Sequence, residues 1–65
     1  MIYYGVIYFK DGMKVETGSF SGPGAENSCE RHVAMQFEQY KQTAERANDT
    51  YHVPTRYEVK SREEY

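Results

Sequence analysis

"IYYGVIYFKDGMKVET" (residues 2–17) is the stretch on which the fold turns. Successive side chains of a strand point to opposite faces. Yet Ile2, Tyr3, Tyr4, Val6, Ile7, Tyr8 and Phe9 put large apolar or aromatic groups on both parities. After the break at "KDG", Met13, Val15 and Thr17 alternate with Lys14, Glu16 and Gly18, so the stretch reads as a β-hairpin. The length of the turn then decides which parity is inside. A connection made of Lys10, Asp11 and Gly12, with the glycine left-handed after a type I turn, sets Phe9 against Met13, Ile7 against Val15 and Gly5 against Thr17. A shorter turn on Asp11 and Gly12 would set Phe9 against Lys14 and Ile7 against Glu16, mixing charge into the most apolar positions. The first register makes the odd-numbered face the core. It leaves Ile2, Tyr4, Val6 and Tyr8, beside Lys14 and Glu16, as a surplus on the other side.

Outward from the hairpin, strands are expected over residues 2–9 and 13–20. "GSFSGPGAEN" (residues 18–27) then leads into a helix, with Phe20 plugging one end of the core. Asn27 with Glu30 resembles a capping box, and Ser28 is the alternative cap. From there Cys29, Val33, Phe37, Tyr40, Ala44 and Ala47 recur at helical spacing and draw one apolar stripe over an expected helix 28–47. "ANDT" (residues 47–50) ends it. Val53, Thr55, Tyr57 and Val59 alternate with Arg56, Glu58 and Lys60 in a third strand, expected over residues 53–60, with residues 61–65 as a frayed tail. Pro54 suits a strand start or an edge. The order β-β-α-β with short connections predicts an α+β fold. Its sheet is three-stranded, antiparallel and ordered 2-1-3, with the helix stripe packed on the odd-numbered face. Nothing is expected to cover the even-numbered face.

Composition narrows the function classes. The 65 residues fit one small domain, near the lower limit for a core unaided by disulfide or metal. The single cysteine cannot close an internal disulfide, which fits a reducing compartment, and a cytoplasmic location is expected. No apolar run approaches a membrane span, and the N-terminus has no signal-peptide layout. A formal charge of −2 gives no general attraction to phosphate backbones. Seven tyrosines with no tryptophan are the one excess, and tyrosine suits surfaces that are buried when a partner arrives.

Reactive residues do not assemble into a catalytic set, so an enzyme is not expected. Cys29 lies on the apolar stripe, where a small core residue is the plain reading. His32 flanks the helix and His52 precedes the last strand, neither with cysteine or carboxylate at a metal-like spacing, so no metal or other cofactor is expected. Glu63 and Glu64 are consecutive and tail-borne, which suits a solvated end better than an acid/base pair. "SGPG" before the helix lacks the lysine of a phosphate-binding loop, and "NDT" has no secretory context.

Two surfaces remain. On the sheet, Tyr4, Val6 and Tyr8 lie between Lys14 and Glu16 on one side and Arg56, Glu58 and Lys60 on the other. On the helix, Met35 stands opposite the core stripe among Arg31, Glu38, Gln39, Gln42 and Arg46. Tyr4, Val6, Tyr8, Lys14, Arg56, Lys60, Met35 and Arg31 are therefore the candidate partner-binding residues. The plain alternative for the sheet is cross-strand packing of tyrosine rings on Lys and Arg stems.

The expected function is a non-catalytic protein-binding module, whose partner is a host protein or a second copy in a homodimer. In size and layout the whole chain resembles, at the level of class, small phage-encoded inhibitors of host defence such as anti-CRISPR proteins. The resemblance rests on no motif and assigns no residue; it implies action by steric block. Single-stranded nucleic-acid binding ranks second, with Tyr4 and Tyr8 as stacking platforms. Glu16 and Glu58 oppose it. An antitoxin-like dimer ranks third.

Overall fold

The computed structural model describes residues 1–63 and has the expected order: β1 (Ile2–Phe9), β2 (Lys14–Ser21), α1 (Ala25–Arg46) and β3 (Pro54–Arg62). The sheet is antiparallel with strand order β2-β1-β3, so β1 is central, and α1 packs on one face. The hairpin register is the one that Lys10–Asp11–Gly12 predicts: Val6 pairs with Glu16, Ile7 with Val15 and Tyr8 with Lys14. Gly12 takes φ 90°, its N–H donates to Phe9 O at 3.1 Å, and Phe9 N–H donates to Met13 O at 2.8 Å. Asp11 Oδ1 accepts from Met13 N at 3.0 Å, which explains the aspartate in a turn of this shape. Met13 falls outside β2 and, although it stands opposite Phe9, is 60% exposed.

Further along, β2 slips by one residue. Tyr4 pairs with Ser19 and Tyr3 with Phe20, so an irregularity between Tyr4 and Val6 inserts one extra residue on β2. The bulge exchanges the parity of β2: before it, odd residues face the helix; after it, Phe20 does. Phe20 is thereby a strand residue, and its ring meets His32 of α1 at 5.4 Å between centroids. Strand β3 carries a similar slip between the partners of Tyr8 and Phe9, which sets the buried Pro54 opposite Phe9.

The helix begins earlier than residue 28. Its N-cap is Gly24 at φ 74°, with no side-chain cap, so neither Asn27 nor Ser28 caps it and both lie within its first turns. Gly22 at φ 90° and Gly24 turn the chain, and the N–H groups of Ala25 and Ser28 donate to Gly22 O and Gly24 O. A glycine pair thus supplies the geometry that a side-chain cap was expected to stabilise. At the far end Ala47, Asn48 and Asp49 donate N–H bonds back to Thr43, Glu45 and Ala44, and Asn48 takes the left-handed φ of 53°. Strand β3 runs to Arg62, so Ser61 and Arg62 belong to the sheet and not to a tail; Glu63 is exposed, and Glu64 and Tyr65 lie outside the described residues.

The core is narrow. Ile7, Val33 and Cys29 are fully buried, with Ala25 and Ala44 extending the line along α1. Phe9 meets Tyr40 edge-on at 5.4 Å and Phe37 meets Tyr57 at 5.3 Å, while Tyr40 and Tyr57 stay partly exposed. The helix reaches the sheet most closely at Gly5, where a Cβ would lie 2.5 Å from Val33 Cγ2 and 2.5 Å from Thr17 Oγ1. Thr17 Oγ1, buried in that contact, has no hydrogen-bond partner.

Gly5→Ala is expected to cost about 1–3 kcal/mol through overpacking. With Val33→Ala added, the loss should fall short of the sum of the two single changes. Urea denaturation of the four proteins checks this, and an alanine variant as stable as the wild type would refute the close-approach account. Thr17→Val removes an unpaired buried hydroxyl, so it should leave stability unchanged or raise it by about 1 kcal/mol in the same measurement.

Candidate interaction surface

The strand registers bring six of the predicted site residues onto one face. Tyr4, Val6 and Tyr8 of β1, Lys14 of β2, and Arg56 and Lys60 of β3 all share the side away from α1, together with Glu16 and Glu58. Among the described residues no helix or strand lies over this face. It is nevertheless closed, because its own long side chains cover it: Val6 is only 3% exposed, and Tyr4 and Tyr8 are half-buried. The Arg56 guanidinium lies 3.8 Å above the Tyr8 ring, directly across the strand pair, and the Arg62 guanidinium lies 5.4 Å above the Tyr4 ring on the diagonal. The expectation of an uncovered aromatic patch is corrected accordingly. The rings form a floor, and the arginines form the surface.

Arg62 was missed by the sequence reading, which assigned it to the tail. Its parity matches Arg56, Glu58 and Lys60, so extending the alternation by one pair would have found it. Arg56 donates to the Glu58 carboxylate, two residues along the same strand face. That contact holds the Glu58 carboxyl below its ordinary pKa and raises that of Arg56. The adjoining Tyr8 side chain and the Glu58 carboxylate raise the ammonium pKa of Lys60. The face is an ordered lattice of aromatic and charged groups, with Glu58 already matched inside it.

Met35 and Arg31 lie elsewhere, on the helix layer. Met35 is exposed on the outer side of α1 as expected. Arg31 lines a shallow depression of about 380 Å³ with Asn27, Glu30, Ala34 and Tyr57. The two do not join the sheet-face residues.

A feature absent from the sequence reading occupies the hairpin end of the molecule. Phe9, Met13, Val15, Tyr40, Ala44 and Ala47 line an apolar groove of about 280 Å³, with Asp49 and His52 at its edge. Asp49 Oδ1 accepts from the N–H groups of Tyr51 and His52 at 2.8 and 3.0 Å, and its Oδ2 meets His52 Nδ1 at 2.7 Å. The Asp11 carboxylate approaches His52 Nε2 at 3.8 Å from the β1–β2 turn. His52 thus has carboxylate neighbours that residue spacing did not reveal, since Asp11 comes from another loop. Backbone donors to Asp49 lower its pKa to about 2, and Asp49 in turn raises that of His52. Among the described residues no group of three or more His, Cys, Asp or Glu side chains could hold a metal ion. Cys29 is fully buried in the core, and desolvation raises its thiol pKa.

Among the described residues no helix is long and apolar enough to cross a membrane. Comparison with family models, curated proteins and solved structures finds no match to this chain.

The two shifts at the α1–β3 loop act at opposite ends of the pH scale. Asp49 titrates lower in the folded chain than its ordinary 3.8, so its contribution is complete above 3.8 and disappears as pH falls through about 2. His52 titrates higher than its ordinary 6.5, so its contribution is complete below 6.5 and fades as pH rises through the folded value. An NMR titration should place His52 above 6.5, and Asp49→Asn should bring it back towards that value. An unchanged His52 titration in the variant would refute the pairing.

Proposed function

We propose that this chain is a non-catalytic protein-binding module that acts through the outer face of its sheet, by occupying a surface that its partner needs. The reading is that of a phage-type inhibitor of a host defence protein, working by steric block in the cytoplasm of the cell or of an infected host. The likeness in size and layout to small phage-encoded inhibitors, anti-CRISPR proteins among them, suggests the blocking role. The observation that carries it is the ordered face just described: a floor of Tyr4, Val6 and Tyr8 under Arg56, Lys60 and Arg62, with no element of the described chain across it. Tyrosine and arginine are the residue types that dominate binding energy at protein interfaces. Held in place before a partner arrives, they lose little side-chain freedom on binding.

Single-stranded nucleic-acid binding is the weaker reading for a geometric reason. Base stacking needs an open ring face, whereas the Tyr8 and Tyr4 rings carry guanidinium groups at 3.8 and 5.4 Å. Arg62 does add one positive charge to the face, but Glu16 and Glu58 remain on it.

A bulky group on the face tests the proposal without touching its charge. Ser19 is exposed beside Tyr4 on the outer side of β2, so Ser19→Trp should abolish capture of a partner from lysate of the source cells while leaving the circular dichroism spectrum intact. Met35→Trp, on the helix side, should leave capture unchanged. The reverse pattern would move the interface to the helix and overturn the assignment.

A further inference from the structure

We propose that the partner surface met by the sheet face is acidic: a protein region rich in Asp and Glu whose carboxylates pair with Lys14, Lys60 and Arg62. The inference rests on the sheet-face reading above and deepens it.

Charge is distributed unevenly over this molecule. The outer face carries four basic residues, Lys14, Arg56, Lys60 and Arg62, and two acidic ones, Glu16 and Glu58, for a net +2. The described residues carry eight basic and nine acidic side chains, so those off this face carry −3. Among the described residues, half of the eight Lys and Arg therefore sit on one sheet face with only two of the nine Asp and Glu. Such segregation makes the face an attractive target for negative charge and the remainder a repulsive one, which orients an acidic partner before contact.

The chemistry of the individual groups agrees. Each guanidinium carbon lies over a tyrosine ring, at 3.8 Å for Arg56 and 5.4 Å for Arg62, which limits the freedom of the side chain. A fixed planar fork is suited to a carboxylate, which it binds through two parallel hydrogen bonds. Arg56 already engages a carboxylate, donating one hydrogen bond to Glu58. The Arg56 and Glu58 side chains are matched to each other, so Lys14, Lys60 and Arg62 face the incoming partner against Glu16 alone.

A second copy fits this face poorly. A two-fold dimer opposes a surface to itself, and here that would bring +2 against +2. Phosphate backbones share the negative charge, but the covered rings deny bases their stacking partners. An acidic protein surface uses what the face offers and needs nothing that it lacks.

The test uses a short polyglutamate peptide as probe, followed by amide chemical shifts of the labelled protein. Shifts should cluster on β1, on β3 from Arg56 to Arg62 and at Lys14. The affinity should fall several-fold from about 50 to about 200 mM salt. Lys60→Glu with Arg62→Glu should weaken binding about tenfold or more, and Arg62→Lys, which keeps the charge but loses the fork, should weaken it less; both side chains lie on the edge strand, so the urea midpoint should stay close to the wild type. If the double variant does not fold, Lys14→Glu on the opposite strand provides the same reading. The inference is overturned by equal binding of polylysine, by shifts outside the sheet face, by tighter binding of an oligothymidylate of the same length, or by sedimentation showing a dimer that Lys60→Glu strengthens. Loss of polyglutamate binding alone leaves the Ser19→Trp capture result standing, so the failure of the acidic-partner inference and the failure of the protein-binding reading remain distinguishable.

Discussion

The close approach of α1 to β1 at Gly5 is the constraint from which the rest of the structure follows. A side chain at that position would occupy the space now filled by Val33 and Thr17, at separations of 2.5 Å that no real Cβ tolerates. With hydrogen in its place, the helix settles deeply enough to bury Val33, Cys29 and Ile7 completely. A chain this short has few other apolar side chains to seal, so depth of contact compensates for the small number of core residues. The bulge in β2 falls at the same level of the sheet. It turns Phe20 towards His32 and keeps the strand in contact with α1 beyond the crossing point. The contact has one unmatched polar atom, the Thr17 hydroxyl.

Fixing the inner face fixes the outer one, because a strand cannot rotate one side chain without rotating all of them. Val6, Tyr4 and Tyr8 are consequently held on the side that no helix covers. Neighbouring strands meet this with long basic side chains whose stems and guanidinium planes lie over the rings, while the charged ends stay in water. The result differs from an exposed aromatic patch in a way that bears on function. An open patch would recruit partners by apolar burial, or bases by stacking. A patch roofed by arginine presents hydrogen-bond donors and positive charge, and the apolar layer serves to hold them still.

Much of this architecture was legible from the turn. Lys10–Asp11–Gly12 admits one register that keeps charge out of the core. That register, extended by the alternation in residues 53–60, predicts the strand order and the membership of both faces. The parts that escaped had no period to reveal them. A bulge is a break in alternation, so Thr17 and Gly18 gave no warning of it, although Phe20 was expected in the core and does meet α1. The helix start was misplaced because Asn27, Ser28 and Glu30 have the composition of a cap, while the actual cap is a left-handed Gly24 whose role depends on backbone angle alone. Arg62 was lost to an assumed fraying tail. The meeting of Asp11, Asp49 and His52 joins two loops 38 or more residues apart in sequence, a juxtaposition that follows from the sheet order and not from local pattern.

Order within the outer face also bears on how so small a protein can bind at all. Association must overcome the loss of translational and side-chain freedom, and a long flexible arginine ordinarily gives up much of that freedom on contact. Here Arg56 and Arg62 have already lost part of it to the tyrosine rings, and Arg56 a further part to Glu58. The rings in turn are anchored on the central strand, which is paired on both edges and backed by the fully buried Ile7. Rigidity therefore passes from the Gly5 contact through β1 to the tyrosines and from them to the guanidinium groups. A binding face built in this way needs neither a deep pocket nor a mobile loop. On the proposed function, one layer of side chains on a three-stranded sheet is enough to block a partner's surface.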